Sequence, residues 1–107
     1  MSNTSHESQF YGLGIAPAFL EAIKRLGFQS PTPIQVQAIP VAIQGKDMVG
    51  IAQTGTGKTL AFGIPMIQRL GQIQGQGLVV LPTRELAIQV DESLRKVGHA
   101  SGLRTAV

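Results

Sequence analysis

The sequence predicts an α/β fold in which a parallel sheet is flanked by helices. Two short apolar runs of strand length, at residues 48–52 and 78–81, alternate with longer segments whose apolar residues recur at helical spacing. Strands that alternate with helices pair in parallel through right-handed crossovers. A third strand is expected at residues 105–107. With 107 residues, the chain has room for one domain of modest size.

The composition favours a folded domain outside the membrane. Hydrophobic residues make up 43% of the chain and charged residues 14%, which is too apolar for a disordered protein. No apolar run approaches the roughly 18 residues that span a bilayer, and the polar start lacks the apolar core of a secretory signal. The absence of cysteine excludes disulfides, and the net charge of +3 is compatible with polyphosphate or nucleic-acid partners. We therefore expect a cytoplasmic protein without a membrane partner.

Two helices are predicted after a polar tail at residues 1–9. The first begins at Pro17, because proline suits the opening turn of a helix. The second has Thr32 as its N-cap and Gln35 three residues after the cap, which is the spacing of a capping box. Pro40 is expected to break or kink this helix before one further turn.

Two more helices are predicted after the apolar runs. One spans residues 58–70, and its Gly63 and Pro65 are expected to interrupt and bend it. The other is capped by Thr83 and ends near Gly98. Each carries apolar residues along one side, as a helix that covers a sheet does.

A glycine-rich loop at residues 52–59 follows the first predicted strand and opens the third helix. A phosphate-binding loop works in this context, because glycines let backbone N–H groups approach phosphate oxygens and the helix dipole attracts anions. Lys58 would reach the β- and γ-phosphates, and the Thr59 hydroxyl would ligate Mg²⁺. An ordinary glycine-rich turn explains the lysine poorly, since a cation at a helix N-terminus is electrostatically disfavoured. The predicted phosphate-binding residues are Thr54, Gly55, Thr56, Gly57, Lys58 and Thr59.

Three segments together resemble one family, the DEAD-box RNA helicases. Residues 27–35 (GFQSPTPIQ) look like that family's Q motif, residues 52–59 (AQTGTGKT) like its motif I, and residues 82–87 (PTRELA) like its motif Ia. Phe10 stands 17 residues before the Q motif, as does the family's lone upstream aromatic. The resemblance implies that residues 10–107 form a partial RecA-like, ATP-binding domain of the P-loop NTPase type.

The resemblance also implies roles for individual residues. Gln35 would read adenine, since an amide can pair with both N6 and N7, whereas the residues alone favour a capping box with Thr32. Phe10 would stack on the adenine face, although an isolated Phe is more often a local hydrophobic anchor. The start of motif Ia would hold an RNA phosphate, and the competing interpretation is a helix cap whose arginine forms a surface ion pair. The implied RNA-binding residues are Pro82, Thr83 and Arg84.

No complete catalytic set is expected in this chain. The family it resembles uses an Asp-Glu-Ala-Asp motif and arginine fingers from a second domain, and the only acidic pair here, Asp91-Glu92, lies inside the last predicted helix. We expect an N-terminal fragment of an ATP-dependent RNA helicase that binds ATP or ADP with Mg²⁺, and RNA weakly. The alternatives are a non-catalytic nucleotide-binding module acting through a partner and a small P-loop kinase, whose lid and acceptor site are not visible. Uncovered apolar surface is expected to favour self-association.

Overall fold

Four helices make up most of the described part of the chain. A computed structural model describes residues 10–28, 30–51 and 57–107. No helix in these ranges is long and apolar enough to span a bilayer. The helices are α1 (Pro17–Arg25), α2 (Pro33–Ile43), α3 (Lys58–Gln72) and α4 (Arg84–Gly98), and a 3₁₀ turn, His99–Ser101, follows α4. All four predicted helices are confirmed.

Helix α3 lies at the centre of the packing. It packs against α2 on one side and α4 on another, and α4 also contacts α1. Each helix contributes at least one nearly inaccessible side chain to the core, and each such side chain contributes about 1.5–3 kcal/mol by burial. These side chains are Ile23 of α1, Ile39 of α2, Ile64 and Ile67 of α3, and Val97 of α4. The N-terminus of α3, where the predicted phosphate-binding residues Lys58 and Thr59 lie, is thus part of the described helix with the most buried residues.

Pro40 was predicted to break or kink α2; the break is wrong, and the kink stays a prediction. The helix runs from Pro33 to Ile43 with Pro40 inside it. A proline here removes one backbone hydrogen bond, and the preceding Ala38 and Ile39 are 5% and 0% exposed. Their burial holds the last turn in place and offsets the missing bond.

Gly63 and Pro65 do not interrupt α3, contrary to expectation. Both are buried within one helix of 15 residues. A Cβ atom added to Gly63 would lie 2.5 Å from Leu94 Cδ2, so this glycine lets α3 and α4 approach closely. The interruption is therefore wrong, the bend stays a prediction, and Gly63 serves close helix packing.

The predicted strands are not found among the described residues. Residues 48–51, 78–81 and 105–107 are neither helical nor joined by ladder hydrogen bonds, and residue 52 lies outside the described ranges. Val49 is 91% exposed, although strands of a parallel sheet are buried on both faces. The parallel sheet is therefore not confirmed.

The segment at residues 78–81 shows why no strand forms there. Leu78 and Val80 are 87% and 83% exposed, whereas Val79 and Leu81 pack against the core. This alternation suits a strand with one covered face. However, the segment lines an open groove of about 1040 Å³ that residues 103–107 also line. A strand requires a neighbouring strand for its backbone hydrogen bonds, and these segments border open space.

Candidate nucleotide-binding site

The side chain of Gln35 joins the start of α2 to the start of α3. Its Oε1 accepts a hydrogen bond from the Thr32 backbone N–H at 2.9 Å, and its Nε2 donates to the Gly57 carbonyl at 3.1 Å. The residue is only 2% exposed. Both ends of the amide are therefore hydrogen-bonded to backbone, which ties the predicted Q motif to the last glycine of the predicted phosphate loop.

The capping box at α2 is half closed. Gln35 reaches back to the N-cap, as the sequence predicts. The Thr32 hydroxyl faces the N–H of Gln35 in the capping-box arrangement without forming a hydrogen bond to it. Within the described ranges, the buried Thr32 Oγ1 is without a partner. An unsatisfied buried hydroxyl costs about 1–3 kcal/mol, so this atom beside Gly57 is available to a bound group.

Gly57 is required by its backbone and by its neighbours. It is the N-cap of α3 and has a φ of +84°, in the left-handed region. A Cβ atom at this position would lie 2.5 Å from Gln35 Nε2 and 3.1 Å from Thr32 Oγ1. Any larger residue would displace the Gln35 amide.

Lys58 and Thr59 occupy the first two positions of α3. Lys58 is exposed and Thr59 is half-buried. The first turn of α3 contains no acidic residue, so the positive end of a helix of 15 residues carries an added cation without a carboxylate to balance it. This arrangement fits an anionic ligand. Thr54, Gly55 and Thr56, also predicted to bind phosphate, lie outside the described residues.

Phe10 is placed in the hydrophobic core. It is 4% exposed and belongs to the same buried cluster as residues of all four helices. This placement favours the local-anchor interpretation. Stacking on adenine stays a prediction, because it requires a face of the ring to be uncovered.

The start of α4 contains the three predicted RNA-binding residues. The Thr83 hydroxyl accepts a hydrogen bond from the Leu86 backbone N–H at 3.1 Å, which confirms its role as N-cap. The ion pair considered for Arg84 is not found in the part of the chain that the structure describes, where Asp91 pairs with Arg95 at 3.0 Å. The residues Pro82, Thr83 and Arg84 are all exposed.

Sequence reasoning missed Gln68, a second buried glutamine. It lies on α3, is 7% exposed and bonds to the backbone of residues 14 and 16. The available signal was its spacing, since it follows Leu60 and Ile64 at intervals of four on the buried side of the helix. A polar residue on an apolar face requires buried partners.

Most of the chain matches a known protein family. A family model described as DEAD/DEAH box helicase matches residues 32–107, which is most of the chain. The chain belongs to the DEAD/DEAH box helicase family.

Individual relatives agree with this assignment. The chain is 50% identical over 97 residues to the DEAD-box ATP-dependent RNA helicase CshA of Geobacillus kaustophilus, covering 89% of this chain and 21% of the relative. It is 51% identical over 98 residues to the ATP-dependent rRNA helicase RRP3 of Debaryomyces hansenii, covering 90% and 20%. The chain thus spans about a fifth of the length of the curated relatives it matches.

Solved structures show a similar fold. The RNA helicase Prp28 from Chaetomium thermophilum, bound to ADP, matches with a TM-score of 0.77 and 36% identity, over 87% of this chain and 24% of that one. Dbp5 from S. cerevisiae, bound to RNA and ADP BeF3, matches with a TM-score of 0.78 and 36% identity, over 85% and 24%. The described helices are therefore arranged as in part of these helicases.

Proposed function

We propose that this chain forms the adenine-nucleotide-binding part of an ATP-dependent RNA helicase. One observation carries the proposal: the Gln35 amide contacts Gly57 at 3.1 Å, at the N-terminus of α3. This contact brings the residue expected to read adenine next to the residues expected to bind phosphate. Two relatives are named as ATP-dependent helicases, and two solved relatives are bound to ADP or to ADP BeF3.

Gln35 retains the groups that adenine recognition needs. A primary amide has two N–H groups and two acceptor positions, and the bonds to Thr32 and Gly57 use one of each. The remaining N–H and acceptor position match adenine N7 and N6. Because Gln35 is 2% exposed, base binding uncovers the amide and thereby affects the start of α3. Phe10 stacks on the base when the side chains that cover its ring move aside, while the backbone of its own segment stays in place.

The start of α3 binds the phosphates in this proposal. Lys58 neutralises the β- and γ-phosphates, Thr59 holds Mg²⁺, and residues 54–57 offer backbone N–H groups. The acid-free first turn of α3 and the unpaired hydroxyl of Thr32 support this fit. Bound Mg²⁺ supplies charge neutralisation at the phosphate oxygens.

RNA contacts the start of α4. Pro82, Thr83 and Arg84 are exposed there, and a guanidinium at a helix N-terminus adds its charge to that of the dipole. The solved Dbp5 structure is of a relative bound to RNA. These contacts go to phosphate, so we expect weak RNA binding that is insensitive to base sequence.

In the whole protein, ATP binding and hydrolysis drive RNA unwinding or remodelling. The strands of a parallel RecA-like sheet are then formed by residues 48–52, 78–81 and 105–107. TM-scores of 0.77 and 0.78 against solved helicases support the sheet, since the helices already lie in that arrangement. The chain alone lacks the Asp-Glu-Ala-Asp motif, and we expect no ATP turnover. It self-associates through the exposed Leu78 and Val80.

Titration of the chain with ATP, ADP and GTP tests the proposal. Adenine nucleotides should bind more tightly, and Gln35→Ala should remove the preference at a cost of about 1–3 kcal/mol for one bidentate contact. Gln37→Ala is the matched control, because Gln37 is an exposed glutamine on the same helix. Equal affinity of the parent chain for ATP and GTP would refute adenine recognition.

A further inference from the structure

Gln68 fastens a distant part of the chain to α3. Its Oε1 accepts a hydrogen bond from the Ala16 backbone N–H at 2.8 Å, and its Nε2 donates to the Gly14 carbonyl at 3.1 Å. The two bonds bridge 52 and 54 positions of sequence. With an exposure of 7%, the side chain is a buried polar clamp whose two partners belong to one turn.

The clamped turn holds the segment that includes Phe10. Phe10, Leu13 and Ile15 are 4%, 8% and 5% exposed, and the Leu13 N–H donates to the Phe10 carbonyl at 3.1 Å. Buried side chains on a short segment require its backbone groups to be paired as well. Gln68 supplies that pairing at Gly14 and Ala16, so the segment has one docked position on α3.

Helix α3 therefore links two parts of the proposed site. It begins with Lys58 and Thr59, and Gln68 follows ten residues after Lys58, about 15 Å along the helix axis. We propose that Gln68 is a positioning residue for adenine-nucleotide binding: it locks the Phe10 segment to the helix that binds the phosphates. This inference rests on the proposed function.

The expected loss of ATP affinity follows from the fraction of molecules in which the Phe10 segment is docked on α3. If the base binds only when the segment is docked, the apparent dissociation constant for ATP rises in inverse proportion to that fraction. Tripolyphosphate has no base, so its affinity does not depend on the segment. A general loss of folding would weaken both ligands, and the difference between them isolates the positioning role.

Two variants break the clamp from opposite sides. Gln68→Met removes both hydrogen bonds while keeping the length of the side chain. Ala16→Pro removes the donor without altering α3, and the φ of −64° at Ala16 already suits proline. Gln72→Met is the control, because Gln72 is an exposed glutamine on the same helix.

Tyr11 reports on the segment directly. It is the only tyrosine in a chain without tryptophan, it is 70% exposed, and it neighbours Phe10. Tyrosine fluorescence anisotropy should fall in both clamp variants, at unchanged far-ultraviolet circular dichroism, and should not change in Gln72→Met.

Binding of ATP and of tripolyphosphate is then measured for the parent chain and the three variants. Both clamp variants should lose about fivefold or more in ATP affinity and keep tripolyphosphate affinity within about twofold. If the parent binds ATP no better than tripolyphosphate, the proposed function fails. If the parent prefers ATP and the clamp variants keep that preference while Tyr11 anisotropy falls, the positioning role is overturned and Gln68 is a structural clamp only.

Discussion

Replacing Gly57 with alanine tests the contact on which the site depends. Gly57 has a φ of +84°, and a Cβ there would lie 2.5 Å from Gln35 Nε2. The left-handed backbone costs a non-glycine residue about 1–2 kcal/mol. Displacing Gln35 also loses the hydrogen bond to the Gly57 carbonyl, about 0.5–1.5 kcal/mol. We therefore expect Gly57→Ala to lower the free energy of unfolding by about 2–3 kcal/mol, which lowers Tm by about 8–20 °C in a domain of this size.

Two other glycines separate the contributions to this loss. Gly27 has a φ of +89° with nothing within 4 Å of an added Cβ, so Gly27→Ala carries the backbone strain alone. Gly71 lies inside α3 with open space around it, so Gly71→Ala should be stabilising by up to about 1 kcal/mol. Unfolding by urea, followed by circular dichroism, measures all three variants.

The double variant Gln35→Ala/Gly57→Ala completes the test. Once Gln35 is truncated, the new methyl group at position 57 no longer meets its amide. The two substitutions should therefore cost less together than the sum of each alone, by about 1 kcal/mol. Strict additivity, with Gly57→Ala no worse than Gly27→Ala, would refute the argument that Gln35 and Gly57 form one unit.

Three further outcomes are expected. Lys58→Ala should weaken ATP binding more than adenosine binding, because the exposed lysine acts on phosphate charge. Added salt should reduce this difference between the two ligands. Equal losses of affinity in titrations with ATP and with adenosine would contradict the prediction. Thr83→Ala should lower the free energy of unfolding by about 1 kcal/mol by removing the cap on the Leu86 N–H, as urea denaturation would show. Val80→Lys should reduce self-association in sedimentation velocity and leave folding intact, whereas Val79→Lys should destabilise the core.

The helices were predictable because their signals are local. Pro17 and Thr83 mark where α1 and α4 begin, through interactions within one turn of the helix. The same local reasoning failed at Pro40 and Gly63, where packing against other helices decides the outcome. Burial before Pro40 keeps α2 continuous, and the close approach of Leu94 explains Gly63.

The candidate site divides in the same way. The Gln35 side chain accepts a hydrogen bond from the Thr32 backbone N–H, three positions earlier in the chain, and the sequence predicts this contact as part of a capping box. The bond from Gln35 to Gly57 crosses 22 positions, and no local pattern specifies it. The sequence also indicated a phosphate-binding role for Lys58 and Thr59, since their loop chemistry is contained within a few residues.

The sequence by itself determined where the helices begin and which family the chain resembles, and it predicts which loop binds phosphate, because caps, glycine spacing and motifs act over short distances. Tertiary structure decided the rest. It placed Phe10 in the core and paired Gln68 with a turn more than 50 positions away. It also left residues 48–51 and 78–81 without ladder bonds. A buried amide or a strand forms its hydrogen bonds only with groups that the fold brings close to it. These groups are distant in the sequence, so no local pattern identifies them.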